Sequence, residues 1–427
     1  MKAMIQYILI GLLYTQTTLA AEYKLLKPAH ILDVEKGELI SGQAVLVNGN
    51  KVMAIGSEND LRQSHNIAME ELEIIDLDGL TLMPGLIDAH SHILLHPYNE
   101  TSWNDQVLLE SRAERVARGV NHLKATLDAG FTSLRDLGSE GAGYADVGLK
   151  RTLEKGIIPG PRLIVAGPAI VATGSYGPKG FDLAHNLNLG AEPADGNDLI
   201  RVTRNQMGKG ADIVKVYADY RWGPHGDAQP TFSLDELRMI VETANSSGRE
   251  VVVHSATAEG MRRATLAGVQ SIEHGDFGTP EIFEMMRDHN VVFCPTLAVT
   301  EANAEYAGWK KGVNPMPASV ARKHAAMTSA IEAGVTICNG SDVGPYTHGT
   351  NLRELKLLNE YGLSMLKTIQ AATIVAADLM NQQEPLGQVK PGYLADLIAV
   401  AGNPLEDLDV LAEPRMVMLD GEIYKAP

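Results

Sequence analysis

The chain has 427 residues, 45% of them hydrophobic, and carries 53 acidic against 36 basic side chains for a formal net charge of -17. That length exceeds one small domain and suits a barrel with an appendage, and the hydrophobic share is that of a globular protein. The charge argues against nucleic acid or anionic lipid as a partner, since both would be repelled, and no basic patch interrupts it.

At the amino end, Lys2 is a small positive head and Ile5–Tyr14 is an apolar run of about ten residues. "TLAA" follows, with small residues for cleavage near Ala20 or Ala21. This predicts a secretory signal peptide over residues 1–20, short for a membrane-spanning helix. The other reading is an uncleaved membrane anchor. No cysteine sits at the cleavage region, which argues against a lipoprotein. In a Gram-negative cell the mature chain is expected to be periplasmic or secreted, with no membrane partner once the signal is removed.

Residues 21–83 alternate apolar positions with Gly and Asn turns, as in "YKLLKPAHILDVEKGELISGQAVLVNGNKVMAIG". They predict short antiparallel strands. A matching pattern returns over residues 386–427, and the two ends are expected to pair into one small β-sandwich. Between them, residues 84–385 alternate strand and helix signals, the pattern of an α/β barrel. Strands are predicted at Gly85–His92, Phe131–Asp136, Arg162–Gly167, Asp212–Tyr217, Glu250–His254, Ser271–His274, Val291–Cys294 and Val335–Asn339. Eight strands can close a (β/α)8 TIM barrel. Ser111–Gly130 has apolar residues at helical spacing and a Gly stop, and Ser233 with Glu236 forms a capping box.

Two Gly-rich loops exceed what a barrel needs, after the third strand ("AIVATGSYGPKGFDLAHNLNLGAEPADG") and after the fourth ("ADYRWGPHGDAQPTF"). Such loops serve substrate recognition or are mere surface insertions. Cys294 and Cys338, the only two cysteines, lie in apolar strands and read as free buried thiols, with a disulfide the alternative in an oxidising compartment.

The predicted strands share one feature: several end on a metal-ligating residue. These are His90 and His92 in "GLIDAHSH", Lys215 in "DIVKVYAD", His254 in "EVVVHS", His274 in "QSIEHGD" and Asp342 in "VTICNGSDVG". Ligands at the carboxyl ends of separate strands are how a parallel barrel builds a catalytic metal site. His90 and His92 are two apart on a strand, so both imidazoles reach one face. Lys215 is an ammonium inside an apolar strand, costly unless it is paired, neutralised or snorkelling. Asp342 could alternatively cap a turn.

The order His-x-His, Lys, His, His, Asp resembles the amidohydrolase superfamily in its binuclear form with a carboxylated lysine, over about Lys24 to Leu408. The likeness is to the Xaa-Pro dipeptidase-like and imidazolonepropionase-like branch. It implies two divalent metal ions, zinc first among them, since the ligands exceed what one tetrahedral ion needs. By resemblance, His90, His92 and Asp342 hold the buried ion and His254 and His274 the exposed one. Lys215, carboxylated by carbon dioxide, bridges them. Asp342 takes the proton of the attacking water and gives it to the leaving amine. Tyr217, His348 and Arg221 are substrate-binding candidates, Arg221 through its planar fork on a carboxylate. Tyr220, His225 and His185 rank behind them, and Asp136 in "LRDLG" matches a family segment of structural character.

One departure stands out. Peptide-cleaving members of the family carry Gly-Gly-His-Gly after the third strand, where this chain reads "ATGSYGPKGF". The expected activity is metal-dependent hydrolysis of an amide beside a free carboxylate, in an Xaa-Pro dipeptide or an N-acyl amino acid. Hydrolysis of a cyclic amide, lactone or phosphotriester is the rival, and a non-catalytic binding protein the reading from another class.

Overall fold

The computed structural model describes residues 23–427 except 183 and 186. The expected signal peptide, residues 1–20, lies outside the described residues. No described helix is long and apolar enough to cross a membrane.

Strands from both chain ends share one eight-stranded sheet. Tyr23–Asp33 and Leu72–Pro84 run parallel at its centre, and Leu397–Val400 joins antiparallel against Thr81–Pro84. The apolar face of this sheet meets the helices Leu352–Glu360 and Met365–Ala371 in a seam that includes Leu32, Met83, Leu355, Ile369, Ile398 and Val417, all buried. Each such side chain contributes about 1.5–3 kcal/mol when fully buried, so the seam fixes the sheet in place. Arg162 adds a polar tie, with Nη2 at 3.1 Å from Asp396 and 2.6 Å from Asp420.

The middle of the chain alternates strand and helix. Leu86–Ser91, Phe131–Asp136 and Arg162–Val165 pair in parallel, as do Val214–Tyr217, Val251–Ser255, Ser271–His274 and Val292–Cys294. The two groups meet where Asp212 N–H donates to the Val165 carbonyl at 2.8 Å and Ile170 bridges Val216. On the far side the segment expected as the eighth strand, Val335–Asn339, forms only isolated bridges. Ile337 pairs with Phe293, and Ala89 N–H donates to Asn339 at 2.9 Å. The succession of parallel segments thus returns to its start, with a looser eighth position than the sequence predicts. Gly340 explains part of this: a Cβ there would lie 3.0 Å from the His90 Cβ, so backbone packs directly under that histidine.

The helices between strands have the ends the sequence marks. Ser111 caps Arg112–Asp128, and Ser233 and Glu236 cap Leu234–Asn245 reciprocally. Inside the ring, Ile87, Ile164, Ile213 and Val252 form an apolar layer with Cys294 and Cys338. The two cysteines are joined as a disulfide, with Cα atoms 5.0 Å apart, which corrects the expectation of free thiols. Separated by 44 residues in sequence, they become neighbours because Cys338 N–H donates to the Phe293 carbonyl at 2.9 Å.

Candidate metal centre

The site lies above that apolar layer, where strand alternation turns from carbon to nitrogen and oxygen. Ile213, Lys215 and Tyr217 share one face of a strand, as do Val252 and His254. Ser271 and Glu273 also face inward, where both meet Arg135: its Nη2 donates to Ser271 Oγ at 3.0 Å and to Glu273 Oε1 at 3.1 Å. On a regular strand His274, next to Glu273, would face outward. It has φ 77°, and Asp342 has φ 55°. These left-handed residues break the alternation and turn both side chains into the ring, at about 1–3 kcal/mol each. The His274 ring centroid consequently lies 5.2 Å from that of His90.

Asp342 is the meeting point. Its Oδ1 is 3.5 Å from His90 Nε2 and 3.3 Å from His92 Nε2, and its Oδ2 is 3.9 Å from His274 Nδ1. Ligand atoms of His90, His274 and Asp342 all lie within 4.8 Å of one another. His254 stands beside them, its ring 4.3 Å from His274 and stacked on Tyr217 at 4.5 Å. Lys215 is buried with its Nζ 5.6 Å from the Tyr217 ring centroid.

The polar partners set which nitrogen faces inward. His90 Nδ1–H donates to Glu273 Oε2 at 2.9 Å and His92 Nδ1–H to the Gly138 carbonyl at 2.9 Å. Each leaves Nε2 toward Asp342, the way a second group orients a metal-ligating imidazole. His90 Nε2 is buried and has no hydrogen-bond partner. A cation between these nitrogens and Asp342 would satisfy it, so the donor set fits a divalent metal.

Electrostatics agree. Burial, then the Lys215 charge, holds His90 and His254 well below the ordinary imidazole range. Burial and the neighbouring His254 do the same to His274. His92 differs. Burial opposes its charge, but the Asp342 carboxylate, with Glu140 and Asp136 behind, raises it to about 9. A proton on His92 occupies the place a cation would take. Burial lowers Lys215 from 10.5 to about 8 against the pull of Glu273 and Asp342.

Several residues that position the site were not singled out from sequence. Asp88 is fully buried and accepts from Ser341 N–H at 2.9 Å, Asn351 Nδ2 at 2.7 Å and His90 N–H at 3.2 Å, as well as from the Ser341 hydroxyl. Burial raises it to about 6. Asp219 accepts from Ser255, Ala256 and Thr257 and lies 4.0 Å from His254 Nε2. Lys323, also buried, donates to the His274 carbonyl at 2.7 Å and the Pro295 carbonyl at 2.5 Å. Glu140 accepts from Trp103 Nε1 at 2.9 Å and from the Tyr176 and Tyr217 hydroxyls at 2.6 and 3.3 Å. Gly344, at φ 133°, is a true glycine position, since a Cβ would lie 2.7 Å from the His92 carbonyl.

The secondary candidates separate. Arg221 and Tyr220 line a cleft of about 720 Å3 that reaches His254. Tyr217 walls the centre beneath His254, its hydroxyl given to Glu140. His348 is buried against the segment that follows His92: Nε2–H donates to the Leu95 carbonyl at 3.1 Å and the ring stacks on His122 at 4.1 Å. His185 and His225 are exposed and do not line that cleft. Asp136 accepts from Ile93 N–H at 3.2 Å, and burial raises its carboxyl well above the usual range. It supports the loop that follows His92.

Known proteins of the same build share this arrangement of the chain. The amidohydrolase family model matches residues 81–424. An ochratoxinase of Aspergillus niger is 31% identical over 421 residues, covering 92% of this chain and 84% of that protein. The crystal structure of a Xaa-Pro dipeptidase with bound methionine in the active site superposes with a TM-score of 0.82 at 29% identity, over 95% of this chain and all of that one. A prolidase complexed with N-methylphosphonate-L-proline gives 0.79 at 28% identity, over 95% and 100%. With the match spanning well over half of the chain, the chain belongs to the amidohydrolase family.

Proposed function

We propose that this family member is an exported, binuclear metal-dependent amidohydrolase that cleaves an amide bond next to a free carboxylate, in an Xaa-Pro dipeptide or an N-acyl amino acid. One observation carries the reading: His90 Nε2, His92 Nε2 and His274 converge on Asp342 within 3.3–3.9 Å, with His254 and Lys215 beside them. The relatives named ochratoxinase, Xaa-Pro dipeptidase and prolidase support amide hydrolysis, and the prolidase ligand is built on L-proline, which bears a carboxylate.

In this reading His90, His92 and Asp342 would hold one ion and His254 and His274 the other, with carboxylated Lys215 as the ligand they would share. Two divalent ions, zinc in the first instance, would polarise the scissile carbonyl and lower the pKa of water. Asp342, among three imidazoles at the centre, would accept the proton of the attacking water and return it to the leaving nitrogen. Glu273 keeps His90 in one tautomer. Tyr217 closes the wall beneath His254, and Arg221 faces substrate from the cleft.

We read the ring as a (β/α)8 barrel over residues 84–385, and residues 21–83 with 386–427 as a flanking β-sandwich. Residues 1–20 we take as a signal peptide, which amino-terminal sequencing of secreted protein tests. A library of dipeptides and N-acyl amino acids, assayed on zinc-loaded protein beside lactones, cyclic amides and phosphotriesters, tests the activity. Turnover of carboxylate-bearing amides supports the proposal. Turnover confined to the other classes, or none, overturns it.

A further inference from the structure

The cleft that opens beside His254 holds two arginines. It has a volume of about 720 Å3, reaches His254 and Tyr220, and is lined by Phe277, Trp309, Arg221 and Arg322. Some arginines of this acidic chain find carboxylates, as Arg162 does with Asp396 and Asp420, Arg262 with Glu259, and Arg353 with Glu301 and Glu305. Among the described residues Arg221 and Arg322 have no such partner, although acidic side chains outnumber basic ones 53 to 36. The carboxylates lining the same cleft are engaged elsewhere. Asp276 lies 3.4 Å from Lys323, and Asp219 accepts from the Ser255–Thr257 turn. Arg322 is also held in place. It projects from the helix Ala318–Ala333, with its guanidinium 4.8 Å from the Phe277 ring centroid. Stacking on an aromatic face leaves the N–H fork free along its edges.

Two exposed guanidinium groups that share one cleft with His254, neither with a carboxylate partner among the described residues, offer an anion a place to be received. Ring faces and a cavity in the range of about 300–1,000 Å3 favour a ligand larger than two small residues. We infer that Arg322, assisted by Arg221, binds the free carboxylate of the substrate, and that the cleft selects N-acyl amino acids with bulky aromatic groups over small dipeptides. This rests on the site being an amide hydrolase, and it adds the residue that reads the carboxylate and the size class.

The test compares N-benzoyl-L-phenylalanine with its carboxamide, which lacks only the charge. Binding is measured by calorimetry on zinc-loaded Asp342→Asn protein, so no turnover is needed. The acid should bind at least about tenfold more tightly than the carboxamide. Arg322→Gln should weaken the acid by about ten- to a hundredfold and leave the carboxamide within about twofold. Arg322→Lys should restore only part, because an ammonium lacks the planar fork. Equal binding of acid and carboxamide, or equal weakening of both by Arg322→Gln, overturns the assignment. Glycyl-L-proline, run in parallel, should bind more weakly than the benzoyl compound; tighter binding overturns the size class. Should the wild-type enzyme turn over no amide, the proposed function falls, while the binding comparison still decides the role of Arg322.

Discussion

The carboxylation proposed for Lys215 should depend on the pH of reconstitution, because only a neutral amine attacks carbon dioxide. The nitrogen forms a bond to carbon, a proton leaves, and an anionic carbamate results. Burial lowers the Lys215 pKa from 10.5 to about 8. At pH 7 a pKa near 8 leaves about a tenth of the amines neutral, against roughly one in three thousand for an ordinary lysine, a gain of about 300-fold. The sign is fixed: the neutral fraction rises with pH and saturates above the folded-state pKa. The assay strips the metal, supplies 13C-bicarbonate at constant dissolved carbon dioxide, and follows the carbamate carbon by NMR. The initial rate should climb about tenfold per pH unit below 8 and level off above it. A rate still climbing at pH 10, or a label that persists in Lys215→Arg, would refute the reasoning.

Glu273→Gln weakens the acceptor for His90 Nδ1 and leaves Arg135 without its buried carboxylate. Removing one partner of such a pair costs about 3–5 kcal/mol, and losing a group that orients a ligand costs about 10–100-fold in metal affinity. Urea unfolding and zinc titration should both register it, and a variant unchanged in both would contradict the role given to Glu273. Asp342→Asn should lower turnover about a hundred- to ten-thousandfold while the protein stays folded. Turnover within about threefold of wild type, with both metals bound, would remove Asp342 as the proton carrier. Lys323→Met leaves the His274 and Pro295 carbonyls without their buried donor. Metal content should drop at the His254–His274 end; full occupancy with unchanged thermal stability would show that Lys323 does not position His274.

The candidate ligands could be picked out because each ends or follows a short apolar run, a purely local pattern. The structure gathers His90, His92 and His274 around Asp342, with His254 beside His274. What holds them was not legible, because the partners are remote in sequence. Glu273 meets His90 across 183 residues, and Asp88 meets Asn351 across 263. A clue existed: Arg135 and Glu273 are charges inside apolar strands, where an unpaired charge is too costly to stand alone. The inward turn of His274 depends on a positive φ, which period-two reasoning does not foresee. His348 stood out from its place beyond Asp342, and its packing on His122, remote in sequence, could not be foreseen. The cysteines read as free because pairing depends on which segments become neighbours, and the eighth segment joins its neighbours by bridges where a full ladder was expected.

The proposed activity requires a two-ion centre bridged by Lys215. The most direct measurement is a crystal structure of zinc- and bicarbonate-loaded protein, with anomalous data collected at the zinc edge. It should show two ions about 3.5–4 Å apart, one with His90, His92 and Asp342, the other with His254 and His274, and continuous density from Lys215 Nζ to a carboxylate touching both. A single ion, or two ions beside an unmodified Lys215, would contradict it.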